Sequence, residues 1–185
     1  MDRLRAESSL VVVVDVQERL LTAMPEAQRN ELLANCSILL EAARLLGVRV
    51  VASEQYPKGL GATAEVIASA LRLRDIAPIE KLTFDACGEP RFARALSTMA
   101  PKSCVVVGME AHVCVFQTAR ELARRGYATY VVADAVASRR DSNRAIGLSL
   151  SERAGACVTA TETVVFDWLE RAGSDTFKQI SKLLK

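Results

Sequence analysis

The sequence predicts an α/β fold of three layers, α/β/α, around a doubly wound, mainly parallel six-stranded sheet in the order 3-2-1-4-5-6. Three observations carry that prediction. Runs of consecutive β-branched residues, the four valines at 11–14 first among them, mark strands buried on both faces, which is the habit of parallel sheets. These runs alternate with stretches of helical periodicity, which gives β-α units. Right-handed crossovers then place helices on both faces of the sheet.

Each element follows in order. The first strand spans 11–14 and ends at Asp15. A helix over Glu26–Leu46 shows apolar residues at Leu32, Leu33, Cys36, Leu39, Leu40 and Ala43, and Gly47 stops it. The second strand spans 47–53. A helix over 63–73 follows, with Thr63 as its N-cap and Glu65 in its first turn. The third strand, 75–81, contains Pro78, which assigns it to a sheet edge. Then come a helix at 91–99, a strand at 104–107 and a helix at 113–125 stopped by Gly126. A strand at 128–133, a helix at 141–154 stopped by Gly155, a strand at 156–159 and a helix at 162–171 complete the series. The tail places Phe177, Ile180 and Leu184 on one helical face, which packs on its own domain or against a second subunit. No linker or internal repeat divides the chain, so residues 1–185 read as a single domain.

Composition narrows the function. At 185 residues the chain suits one domain that buries about 70% of its unfolded surface. The net charge is +2 and no basic stripe stands out; Arg139, Arg140 and Arg144, the densest group, read as a solvated helix start. No nucleic-acid partner is called for. Five cysteines without short paired spacing argue against a disulfide scaffold or zinc cluster, and one histidine, His112, excludes a His-rich metal site. No metal or cofactor is expected. The first apolar run is too short for a secretory core, and nothing approaches a membrane span. The expected address is a reducing cytoplasm.

The chemistry concentrates at three strand ends. Residues 103–114 read as strand, glycine-containing turn and first helical turn, ending on Cys114. A thiol there meets backbone N–H groups and the positive end of the helix dipole, which favour a thiolate. Strands one and four are neighbours where the sheet order reverses, so Asp15 and Cys114 stand on opposite lips of one crevice. Lys81 leans in from the third strand. Asp15 can take the thiol proton and later return it to a leaving amine, while Lys81 favours both anions and lowers the basicity of Asp15. The N–H of Cys114 and another from the 109–111 turn can hold an oxyanion, each donor worth about 3–4 kcal/mol. Singly, each residue has a structural explanation: Cys114 a small buried hydrophobe, Asp15 a helix N-cap, Lys81 a surface amine. Their coincidence at three strand ends favours catalysis.

These residues carry a resemblance. Asp15-Val16-Gln17, Glu80-Lys81 with Thr83-Phe84, and Gly108 through Cys114 with Gln117-Thr118-Ala119 resemble the isochorismatase-like cysteine hydrolases. Residues 53–61 are similar to the small isochorismatase-domain proteins of unassigned substrate. The resemblance implies the three-layer fold, Asp15, Lys81 and Cys114 as a catalytic triad, and a cis peptide at Met109–Glu110 that serves the oxyanion. It also implies a homo-oligomer. Nicotinamidases of this superfamily hold a metal through histidines that the stretch 53–58 lacks. Isochorismate hydrolases cleave a vinyl ether without the cysteine, so its retention favours acyl transfer. The expected activity is therefore metal-independent hydrolysis of a small amide or carbamoyl compound through a thioester. Gln17, Tyr56, Phe84, His112 and Phe116 are the candidate substrate contacts. Two alternatives remain: a thiol redox sensor with Cys87 as resolving partner, or a non-catalytic ligand-binding or scaffold relative.

Overall fold

The computed structural model describes residues 3–184. The single-domain expectation over 1–185 thus includes residues 1, 2 and 185, which lie outside the described residues. The strands are β1 (Ser9–Val14), β2 (Arg49–Gln55), β3 (Ile79–Lys81), β4 (Ser103–Met109), β5 (Ala128–Ala137) and β6 (Cys157–Thr159). They form one sheet in the order β3-β2-β1-β4-β5-β6, every pair parallel. The helices are α1 (Glu18–Thr22), α2 (Glu26–Leu46), α3 (Pro57–Leu60), α4 (Glu65–Arg72), α5 (Pro90–Met99), α6 (Phe116–Arg124), α7 (Asp141–Arg153), α8 (Thr161–Leu169) and α9 (Asp175–Ile180).

The valine run explains the layering. Successive side chains of a strand point to opposite faces. Val11 and Val13 enter a core shared with α2, α4 and α8, through Leu32, Leu39, Ile67 and Trp168. Leu10, Val12 and Val14 enter the opposite core, shared with α5 and α6 through Phe92, Leu96 and Leu122. Both faces of β1 are therefore apolar, and a strand with no polar face settles only at the centre of a covered sheet. The tail joins the first core: Ile180 is buried there, Leu184 packs against it, and the Phe177 ring lies 6.5 Å from that of Phe166.

Several boundaries differ from expectation for local reasons. β3 begins only after Pro78, whose missing N–H cannot serve a ladder, and it does occupy an edge. Thr63 does not cap α4: its N–H and hydroxyl both donate to Glu54 Oε1 at 2.6 Å, and Ala64 precedes the helix. α6 starts at Phe116 because residues Ala111–Val115 form a wider π turn. The short helices α1 and α3 were not foreseen, since so few residues show no periodicity.

One close approach sets up the site. Gly108, at φ +123°, lies where an added Cβ would overlap the Val14 carbonyl of the neighbouring strand. Only glycine lets β4 draw so near to the residue that precedes Asp15.

Candidate active site

The carboxyl ends of β1, β2, β3 and β4 converge. Asp15 leaves β1 in the left-handed region at φ 52°, a conformation that Asp tolerates better than most residues. Its side chain is fully buried and doubly held. Ser53 Oγ donates to Oδ1 at 2.7 Å, and Lys81 Nζ pairs with Oδ2 at 2.7 Å. Lys81 reaches this point from the edge strand because Gln55 lies opposite it in the β2–β3 register, and Gln55 Oε1 accepts from the same ammonium at 2.7 Å. The carbonyls of Thr83 and Phe84 each accept from it at 3.2 Å. Four oxygens thus surround the ammonium in place of water.

The Cys114 thiol comes from the π turn that follows β4 and is 7% exposed. It lies close enough to Asp15 and Lys81 for both to act on its ionisation, and the Met109–Glu110 peptide just before the turn is cis. Burial first, then the Asp15 charge, pushes the thiol up to about 12, against the opposing pull of Lys81. The sequence expectation of a helix-stabilised thiolate is thus corrected. Desolvation and the neighbouring carboxylate both favour the protonated sulfur, and the resting thiol keeps its proton.

The other thiols make that burial measurable. Cys36, Cys87 and Cys104 are likewise pushed from 9.0 to about 12, burial being the first cause in each. A thiol raised in the folded state stabilises fully below its unfolded value and loses that contribution as pH climbs toward the folded one. The window here is therefore pH 9 to 12. Stability is expected to fall by about 1.4 kcal/mol per pH unit for each such thiol once the unfolded chain ionises. Urea unfolding midpoints at pH 8.5 and 10.5 measure this, and a midpoint that stays level would contradict the buried neutral thiols.

The remaining candidates separate. Gln17 is fully buried and its amide is already committed: Nε2 donates to the carbonyls of Gln55 (3.1 Å) and Gly61 (2.6 Å), and Oε1 accepts from Gln55 N–H at 2.7 Å. It fastens the loop after β2, which corrects the expectation of a substrate contact. His112 is similarly engaged, with Nδ1 3.1 Å from Ser138 Oγ and Nε2 3.3 Å from Asn143 Nδ2. Tyr56 and Lys81 line a cavity of about 410 Å³ together with Lys58, Leu82, Thr83 and Glu89. Asp15 and Cys114 are not among its walls; Lys81 is the member of the trio that it reaches. Phe84 and Phe116 do not line it either. Phe84 contributes its carbonyl to Lys81, and the Phe116 ring sits 5.0 Å beneath the Arg120 guanidinium. Among the described residues no group of three or more His, Cys, Asp or Glu side chains could hold a metal ion.

Sequence reasoning missed Ser53 and Gln55. The available signal was the abrupt change at the end of β2 from Val50-Val51-Ala52 to Ser53-Glu54-Gln55, since a buried strand turns polar only where polar partners wait.

Comparison with known proteins adds to this geometry. The family model described as Isochorismatase domain matches residues 9–163. The secreted isochorismatase effector Isc1 of Phytophthora sojae (strain P6497) is 37% identical to this chain, covering 100% of it and 88% of the effector. Isochorismatase domain-containing protein 2 of Danio rerio is 33% identical over 98% of this chain and 89% of its own length. Among solved structures, MAR1 ribonuclease from Caenorhabditis elegans superposes with a TM-score of 0.91 at 32% identity, covering 99% of this chain and 92% of its own. Among the described residues of the present chain, no helix is long and apolar enough to cross a membrane.

Proposed function

We propose that this chain, which belongs to the isochorismatase domain family, hydrolyses a small amide or carbamoyl compound through a thioester on Cys114. The observation that carries the reading is the dry Asp15–Lys81 pair facing a protonated thiol. A neutral thiol is a poor nucleophile, so chemistry at neutral pH needs a base beside it. Asp15 is that base. It takes the Sγ proton as sulfur attacks the substrate carbonyl, and the carbonyl electrons move to oxygen. The N–H of Cys114 and one from the 109–111 turn receive that oxyanion. The tetrahedral adduct collapses as the C–N bond breaks, and Asp15 passes the same proton to the departing nitrogen. A water molecule then gives its proton to Asp15 and attacks the thioester, releasing the acid and restoring the thiol. Lys81 fixes the carboxylate and offsets the charge that develops on sulfur.

The buried, protonated sulfur also argues against the sensor alternative, because sensor cysteines are low in pKa and accessible. Cys87 is itself pushed up to about 12 by burial, which leaves it a poor resolving thiol. We further propose a homo-oligomer: the exposed Tyr56 and Leu82 that line the cavity, with the exposed Phe84 two residues beyond Leu82, offer a second copy an apolar surface. Size-exclusion chromatography with light scattering reads that directly, and a monomer at micromolar concentration would remove it.

The test of the activity is a panel of small primary amides, carbamates and ureas assayed by ammonia or amine release, with RNA cleavage as the competing arm because the nematode neighbour is named a ribonuclease. Rapid acid quench during turnover is expected to leave an acyl group on Cys114, visible as a mass increase on its peptide. Turnover without any such adduct under slow-deacylation conditions, or RNA cleavage that survives loss of the thiol, would displace the thioester reading.

A further inference from the structure

We infer that Glu110, clamped by Arg139, is a positioning residue that holds the turn bearing Cys114 against Asp15 and Lys81. The inference rests on Cys114 being the nucleophile, and it concerns a part of the molecule outside the trio. Glu110 is buried, although glutamate is seldom buried without a partner. Its Oε1 accepts from Arg139 Nε at 2.6 Å, its Oε2 lies 3.5 Å from Arg139 N, and His112 Nδ1 lies 3.7 Å from the same oxygen. Its backbone carbonyl accepts from the N–H groups of Val113 (3.0 Å) and Val115 (3.2 Å), the two residues that flank Cys114. One residue thus fixes the turn by its main chain and is itself fixed by its side chain.

The clamp has a rigid seat. Arg139 belongs to the loop between β5 and α7, and the neighbouring Ser138 N–H donates to Gln28 Oε1 at 3.1 Å. Gln28 also bonds Asp141, so the loop is tied to α2. From the other side α7 lies directly on the turn: an added Cβ at Gly147 would overlap the Ala111 carbonyl and the His112 nitrogen. His112 extends the same clamp through Ser138 and Asn143. The base and the ammonium come from β1 and β3, whereas the thiol hangs from this turn alone. If the Glu110–Arg139 pair is lost, either the buried carboxylate is left without its cation, as in Arg139→Gln, or the charge-assisted bond is weakened, as in Glu110→Gln, and the turn loosens in both cases. A displacement of about 1 Å at a reacting atom can cost roughly 100-fold in rate.

The test reads the thiol directly and so does not depend on knowing the substrate. Native protein, Glu110→Gln, Arg139→Gln and Arg139→Lys are treated with N-ethylmaleimide at pH 8.5, and each cysteine is followed by mass spectrometry. In Glu110→Gln and Arg139→Gln, Cys114 is expected to react at least about tenfold faster as its burial is relieved, while Cys36 and Cys104 react at native rates. Arg139→Lys keeps the charge and should return Cys114 to within about twofold of native. With a substrate from the amide panel, Glu110→Gln should lose roughly 100-fold in kcat with KM little changed. Cys114 modified at the native rate in Glu110→Gln would overturn the inference. So would equal acceleration at Cys36 and Cys104, which signals a loosened fold, or a lysine variant no better than glutamine. If no amide is turned over by the native protein, the hydrolase reading fails, while the thiol rates still decide whether Glu110 positions the turn.

Discussion

Cys114→Ala is expected to lower turnover of any amide substrate by at least about 10⁴-fold and to eliminate the acyl adduct. No other group can replace the sulfur. Cys36 and Cys104 lie inside the two cores, Cys87 sits in the loop after β3 with its N–H tied to Asp85, and Cys157 begins β6 at the opposite edge of the sheet. The substitution removes one buried sulfur and should cost only about 1 kcal/mol in stability. Folding and substrate binding are therefore retained, and loss of activity can be read as loss of chemistry. Cys114→Ser is a stricter version: the hydroxyl keeps a hydrogen-bonding group beside Asp15, yet it ionises far less readily and forms an ester that Asp15 is not tuned to cleave. Purified Cys114→Ala with native circular dichroism and undiminished turnover would mean that the trio is not the seat of the reaction.

Lys81→Met is expected to damage stability and activity together. It leaves Asp15 buried with the Ser53 hydroxyl but without its cation, and breaking a buried pair from one side costs about 3–5 kcal/mol. That is a large share of the 5–15 kcal/mol typical of a folded domain. Because such a variant could simply unfold, the informative comparison adds Asp15→Asn to it. The double variant carries no unpaired charge and should recover most of the lost stability, measured as a urea midpoint. Its activity should not recover, since the base is gone and general-base catalysis contributes about 10²–10⁴-fold. Stability that returns while turnover stays absent is the expected signature. A double variant as unstable as Lys81→Met would mean that the pair's contribution is packing rather than charge.

How far the sequence reached depended on the range of the interactions involved. The sheet order and the shared edge of Asp15, Lys81 and Cys114 were legible because each follows or ends a strand, and strand ends in a doubly wound sheet share one rim. The support around them was not. Ser53 and Gln55 act across a strand register that no local pattern states, and Gln17 looks identical in sequence whether it faces a ligand or two carbonyls. The ionisation of Cys114 was misread for a related reason. A helix end is visible in the chain, whereas burial and a carboxylate from another strand exist only after folding. The π turn compounds this, because it places the thiol inside the wider coil before α6 rather than at a free helix start. Glu110 and Arg139 are 29 residues apart and pair only because β4 and β5 are neighbours.

The amine that completes the trio sits on β3, which is three residues long and is paired on one side alone. Outermost strands with short ladders open most readily, at free energies well below that of global unfolding. Detaching this one would carry Lys81 away and wet Asp15 while the central strands stayed zipped. Thermal loss of turnover is therefore expected to precede melting, and activity assayed alongside circular dichroism on one temperature ramp checks it.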